Sequence, residues 1–226
     1  MRCVRFLVAA LLFASPMADA QISGNLSVVS DYRYRGMSLS QGNPEEQLSV
    51  GYDHPDGWYA GGLISGVDLY AVQSAQLITY GGYAGKIQSG WSWEGGISHT
   101  LFNRLHSFDY SEAYAGLGSE SINVRLYYSP SYFNELSRTV YGELNANVAL
   151  HDNLQLLFHG GILDQINSNM NGDSSTRFDY RVGLNARYND WNGQLAWVGL
   201  QKKLTDYPQY EDTQLHSWVV SVSYSF

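Results

Sequence analysis

Asp31, Arg33 and Arg35 stand two residues apart, and Arg177, Asp179 and Arg181 repeat the spacing. On extended backbone that interval puts every member of each trio on one face. Guanidiniums gathered in this way offer planar donor forks that fit carboxylates and phosphates. Carboxylates interleaved among them can instead take up their charge as a brace with no external ligand. The same period-2 rule adds Asp53, Glu94, Glu112, Arg125, Glu143 and Arg187 to this polar face. Recognition and bracing both remain open, and so does the sign of any charge preference. Against the arginines stand Glu45, Glu46, Asp68, Asp164, Asp173, Asp206, Glu211 and Asp212 in the expected connections, which outnumber Arg104, Lys202 and Lys203.

Other chemistries find little support. Of the six histidines, His54, His106, His151 and His216 fall at turns, loops or strand ends, whereas His99 and His159 lie within strand-like stretches. Neither is near a nucleophile elbow, and neither shows an Asp or Asn partner by spacing. No His, Cys or carboxylate spacing matches a metal site, and Asn171-Gly172-Asp173 reads as loop chemistry rather than a calcium loop. No cofactor is expected. A formal charge of −8 disfavours nucleic acid as a partner.

The elements that would position these residues are strands. Beyond residue 20 no useful helical period appears, whereas about twelve alternating stretches do. They fall near residues 22–37, 45–53, 58–67, 76–86, 91–101, 108–117, 121–129, 138–150, 154–163, 177–188, 191–200 and 213–226. In the last of them Trp218, Val220, Val222, Tyr224 and Phe226 share one face and Ser217, Ser221, Ser223 and Ser225 the other. Connections alternate between long (38–44, 68–75, 102–107, 130–137, 164–176 and 201–212) and short. A membrane barrel with both termini in the periplasm has that rhythm, whereas a soluble sandwich has no cause for it.

Composition agrees. Charged residues make up 15% of the chain, too few for the polar outside of a soluble barrel, while 18 tyrosines suit aromatic girdles at two interfaces. The N-terminus reads as a signal peptide: Arg2 and Arg5, an apolar run over residues 6–14, and Ala18-Asp19-Ala20 before a cut. Residues 1–20 would then be removed, Cys3 with them, and residues 21–226 would form an all-β, transmembrane, antiparallel up-and-down barrel in the bacterial outer membrane. Bilayers forbid open sheet edges, so the first strand must pair with the last, and Trp218, Val220, Val222, Tyr224 and Phe226 would carry the assembly signal. Partners would be outer-membrane lipid, the barrel assembly machinery with periplasmic chaperones, and small solutes or ions. About twelve strands give a backbone radius of roughly 12 Å, leaving about 4–6 Å free if no loop folds inward.

Residues 23–38, Ser-Gly-Asn-Leu-Ser-Val-Val-Ser-Asp-Tyr-Arg-Tyr-Arg-Gly-Met-Ser, resemble the opening signature of the TorF-type porins of proteobacterial outer membranes. Gly51-Tyr52-Asp53-His54 with Gly57-Trp58-Tyr59-Ala60-Gly61 looks like their next hairpin, and Tyr110-Ser111-Glu112-Ala113-Tyr114-Ala115-Gly116 is similar to a central element. The resemblance implies an outer-membrane barrel acting as a channel, and it supplies no catalytic residue. The function expected is passive diffusion of small hydrophilic solutes or ions. A plugged structural or adhesin-type barrel is the alternative, and a lipid hydrolase a more distant one.

Overall fold

The computed structural model describes residues 21–134, 138–167, 176–202 and 215–226. The expected signal peptide lies outside them, as do most of the connections at 164–176 and 201–212 and the end of the one at 130–137. Twelve strands close into an antiparallel barrel. They are β1 (Gln21–Val29), β4 (Glu45–Asp53), β5 (Trp58–Leu69), β6 (Val72–Lys86), β7 (Ser92–Phe102), β8 (Tyr110–Gly118), β9 (Ile122–Ser129), β10 (Arg138–His151), β11 (Leu154–Asn167), β12 (Thr176–Tyr188), β13 (Trp191–Lys202) and β14 (His216–Ser225). The remaining two, β2 (Arg33–Tyr34) and β3 (Met37–Ser38), form a separate hairpin.

Each strand pairs with its sequence neighbour in the wall, and β1 pairs with β14 to close it. Leu26 faces Tyr224 in that seam, and the backbone of Phe226 exchanges hydrogen bonds of 2.8 and 2.9 Å with Gly24. Closure satisfies every edge, as hydrocarbon requires.

Alternation decides which way each strand faces. Val28, Leu126, Leu144, Val182, Val220 and Val222 lie on the outer surface, all exposed in the isolated chain. At the end holding the chain termini, outward aromatics meet edge to face or tilted: Trp58 with Tyr83 at 5.1 Å and Trp191 with Tyr224 at 5.2 Å. Trp197 and Trp218 meet at 5.2 Å nearer the opposite, loop end. Two aromatic belts around an aliphatic band are the exterior that a bilayer selects. No helix among the described residues is long and apolar enough to cross a membrane.

Two expectations fail. The first strand does not run to Met37; it ends at Val29, and the chain turns into the lumen. Tyr32, which an unbroken strand over 22–37 would set on the same face as Leu26 and Val28, is therefore buried inside. The reason is local. The carboxylate of Asp31 accepts hydrogen bonds from the hydroxyls of Ser38 (2.5 Å) and Ser40 (3.2 Å) and from Arg33 Nε (2.5 Å), which folds residues 31–40 onto themselves. The connection expected at 68–75 is likewise no long loop. β5 and β6 continue to Leu69 and Val72, joined by Tyr70 and Ala71, both with positive φ. That pair of left-handed residues makes the two-residue turn whose twist matches the strands.

Candidate functional site

The inward segment crosses the lumen. Its β2–β3 hairpin turns at Arg35 and Gly36, whose φ values are +48° and +77°. Gly36 is required there twice over. Its φ suits glycine, and a Cβ would come within 2.7 Å of Asp179 Cβ and 2.9 Å of the Gly199 carbonyl, so the tip sits flush against β12 and β13. From that tip Arg35 donates to both oxygens of Glu112 on β8, at 2.9 and 2.8 Å. Its guanidinium also lies over the rings of Tyr141 (4.1 Å) and Tyr127 (5.1 Å). Two further ties hold the segment. The Tyr32 hydroxyl donates to Gln76 on β6 at 2.7 Å, and the Asp68 amide of β5 donates to the Leu39 carbonyl at 2.7 Å.

Apolar rings fill the loop end of the lumen beside this segment. Phe102, Tyr110 and Tyr132 are buried and pack with Phe108 and Phe133, with Leu39 of the inward segment at 0% exposure beneath them. Phe133 stacks on Tyr110 at 5.1 Å and meets Phe102 at 5.8 Å. The barrel thus has a hydrophobic core of its own, placed where a simple porin would hold water.

Polar cavities remain on the side of the hairpin toward the termini. One, of about 410 Å³, runs from the hairpin along the β12–β14 and β1 walls past Ser27, Gln194, Ser221 and Ser223. A second, of about 510 Å³, lies across the lumen against β4–β9, lined by Asp53, Tyr59, Glu94, Glu112 and Arg125.

The residues expected to face inward divide among these places. Asp31, Arg33 and Arg35 are luminal, but on the crossing segment rather than on the wall. Arg33 is bonded to Asp31 and to the Gly36 carbonyl (3.0 Å), so this pair braces the hairpin. On the wall, Arg125 grips Glu94 through contacts of 2.6 and 3.2 Å. Arg177 stands opposite Leu163 at the loop end of β12. Arg187 lies at the other end and donates to the Asn189 carbonyl. The Glu143 carboxylate accepts the Tyr127 hydroxyl, at 3.3 Å, and the Arg181 side chain makes neither hydrogen bond nor direct ion pair among the described residues, with Glu143 and Asp179 acting on it from farther off. Trp218, Val220, Val222, Tyr224 and Phe226 share the outer face of the seam strand.

One cluster escaped the sequence. His159 Nε2 lies 2.7 Å from Asp179 Oδ1, and its Nδ1 lies 2.7 Å from Asn145 Oδ1. The Tyr141 hydroxyl donates to both oxygens of Asp179, at 3.3 and 3.2 Å. Spacing along the chain hides these partners: counting back from the Asp152-Asn153 turn would set Asn145 opposite Gly160, and only the register shift between Ala149 and His151 brings it opposite His159. His99 in turn touches Ser111 Oγ at 2.8 Å on the outer face. Among the described residues no group of three His, Cys, Asp or Glu side chains is placed to hold a metal ion.

The family model described as a bacterial protein of unknown function (Gcw_chp) matches residues 13–226. No curated protein matches the sequence. Solved structures that share the fold include the KdgM porin, at a TM-score of 0.55 and 14% identity over 92% of this chain and 99% of the other. KdgM is also known in complex with disordered oligogalacturonate, with the same similarity. The NanC porin matches at a TM-score of 0.59 and 13% identity, over 88% of this chain and 98% of that one.

Proposed function

The chain belongs to the Gcw_chp family, and on that premise we propose that it is an outer-membrane channel for passive diffusion of small hydrophilic solutes or ions. The observation that carries this reading is a polar, partly open lumen inside a closed twelve-stranded wall with an apolar outside. A barrel needs no hydrophilic interior merely to sit in lipid. The likeness of fold to KdgM and NanC supports the reading, and the resemblance of residues 23–38 to the opening of TorF-type porins agrees with it.

In this reading residues 1–20 direct export and are cleaved, and residues 21–226 reach the outer membrane with chaperones and the barrel assembly machinery. Both termini face the periplasm, because every connection at their end of the barrel is short, whereas the long connections lie at the other end beside the two-residue turn at Tyr70-Ala71. Solutes pass beside the crossing hairpin, along the β12–β14 wall. With three of the luminal guanidiniums bonded to carboxylates, neither sign of ion is strongly preferred.

Insertion of the refolded barrel into a planar bilayer tests this. Discrete conductance steps are expected; silence under all voltages would assign the barrel to the plugged, structural class.

A further inference from the structure

The polar cavity that runs from the hairpin along the β12–β14 wall holds two opposite charges without a direct ion-pair partner. Arg181 and Glu143 both line the cavity of about 410 Å³. Neither lies within 4 Å of an oppositely charged side chain among the described residues, although Arg33, Arg35 and Arg125 each do. The register explains the gap. Asn145, His159 and Arg181 form one row across β10, β11 and β12, and Glu143, Gly161 and Asp179 form the next. Glu143 and Arg181 are therefore two strands and one row apart, about 10 Å across the sheet. The group between them is the His159–Asp179 pair, whose members bind each other, Asn145 and Tyr141. At Gly161 there is no side chain to bridge the two.

Semi-buried charges are ordinarily paired, since an uncompensated one is costly away from bulk water. A guanidinium and a carboxylate held apart in one cavity fit a ligand that brings both missing partners. We infer that this cavity is a subsite for small zwitterions, with the solute carboxylate on the Arg181 fork and its ammonium on Glu143. A simple anion would satisfy Arg181 but meet Glu143 and Asp179; a simple cation would meet Arg181. The inference rests on the channel reading for its role in transport, but not for binding itself.

The test compares three four-carbon probes that differ in charge: γ-aminobutyrate, butyrate and butylammonium. Each is added to the wild-type channel in a planar bilayer and its block of the ionic current is titrated. Block by γ-aminobutyrate is expected at a concentration at least about tenfold below the other two. Arg181→Gln should bring its block down to that of butylammonium, and Glu143→Gln to that of butyrate. Butyrate blocking as well as γ-aminobutyrate would overturn the proposal in favour of an anion anchor, and equal block by all three would leave no site. If the barrel conducts no current, the channel reading fails, and calorimetric titration of the detergent-solubilised barrel with the same probes decides the site alone. Preferential binding of γ-aminobutyrate, lost in both variants, supports it; no such preference overturns it.

Discussion

Arg35 and Glu112 join opposite sides of the barrel through two parallel hydrogen bonds of 2.9 and 2.8 Å, with 8% and 2% of their side chains exposed. One partner rides on the hairpin that leaves the first strand, and the other belongs to β8 of the wall. The pair fastens the crossing segment at its far end.

Removing one member strands the other in a site with little water. Glu112→Ala is expected to lower stability by about 3–5 kcal/mol, and the Arg35→Met, Glu112→Leu double variant by much less. Denaturant unfolding of barrels in lipid vesicles measures both. If the double variant is as unstable as the single one, the pair is not what holds the hairpin.

Gly36→Val attacks the same contact without touching a charge. The new side chain would collide with Asp179 Cβ and the Gly199 carbonyl, forcing the tip away from β12 and β13. Single-channel conductance is expected to rise and become noisier. An unchanged conductance would mean that the tip does not border the passage.

Ion preference should follow the pairs rather than the number of arginines. Arg125→Gln leaves Glu94 uncompensated and shifts the reversal potential in a salt gradient toward cations; Glu94→Gln shifts it toward anions. Arg33→Ala acts through the fold of the hairpin, because its guanidinium is spent on Asp31 and the Gly36 carbonyl. The change expected there is in conductance more than in selectivity.

Val220 and Ser221 are neighbours that face opposite media. Val220→Arg should cost about 2–4 kcal/mol if the position lies at mid-bilayer, while Ser221→Arg should leave stability nearly unchanged. Deleting Phe226 removes the backbone pairing with Gly24 and should reduce the yield of heat-modifiable barrel. Normal yield would locate the seam's anchorage further back, at Leu26 and Tyr224.

The wall was legible because alternation is a property of each strand alone. Glu45–Asp53 matches its expected bounds, and the remaining wall strands apart from the first lie within a few residues of theirs. The inward turn after Val29 was not legible, because Arg33–Tyr34 is itself extended and keeps the period through the break. What marks the break is a set of bonds among Asp31, Ser38 and Ser40, which period cannot register. Tyr70-Ala71 was missed for a different reason. Neither is a residue that usually takes left-handed backbone, so the turn is imposed by the pairing of β5 with β6. For the luminal charges, parity gave the facing, but partnership depends on register between distant strands. The His159–Asp179 contact and the solitary Arg181 emerge only from that register.

The crossing segment has a consequence for how the molecule can be made. It belongs to the first stretch of chain beyond Val29, whereas the wall is shut by bonds such as that between Asn25 and Ser225, separated by 200 positions. Joining ends so remote carries the largest loop-closure entropy of any strand pairing in the chain. The segment that occupies the lumen is therefore synthesised long before the strand that shuts the wall around it.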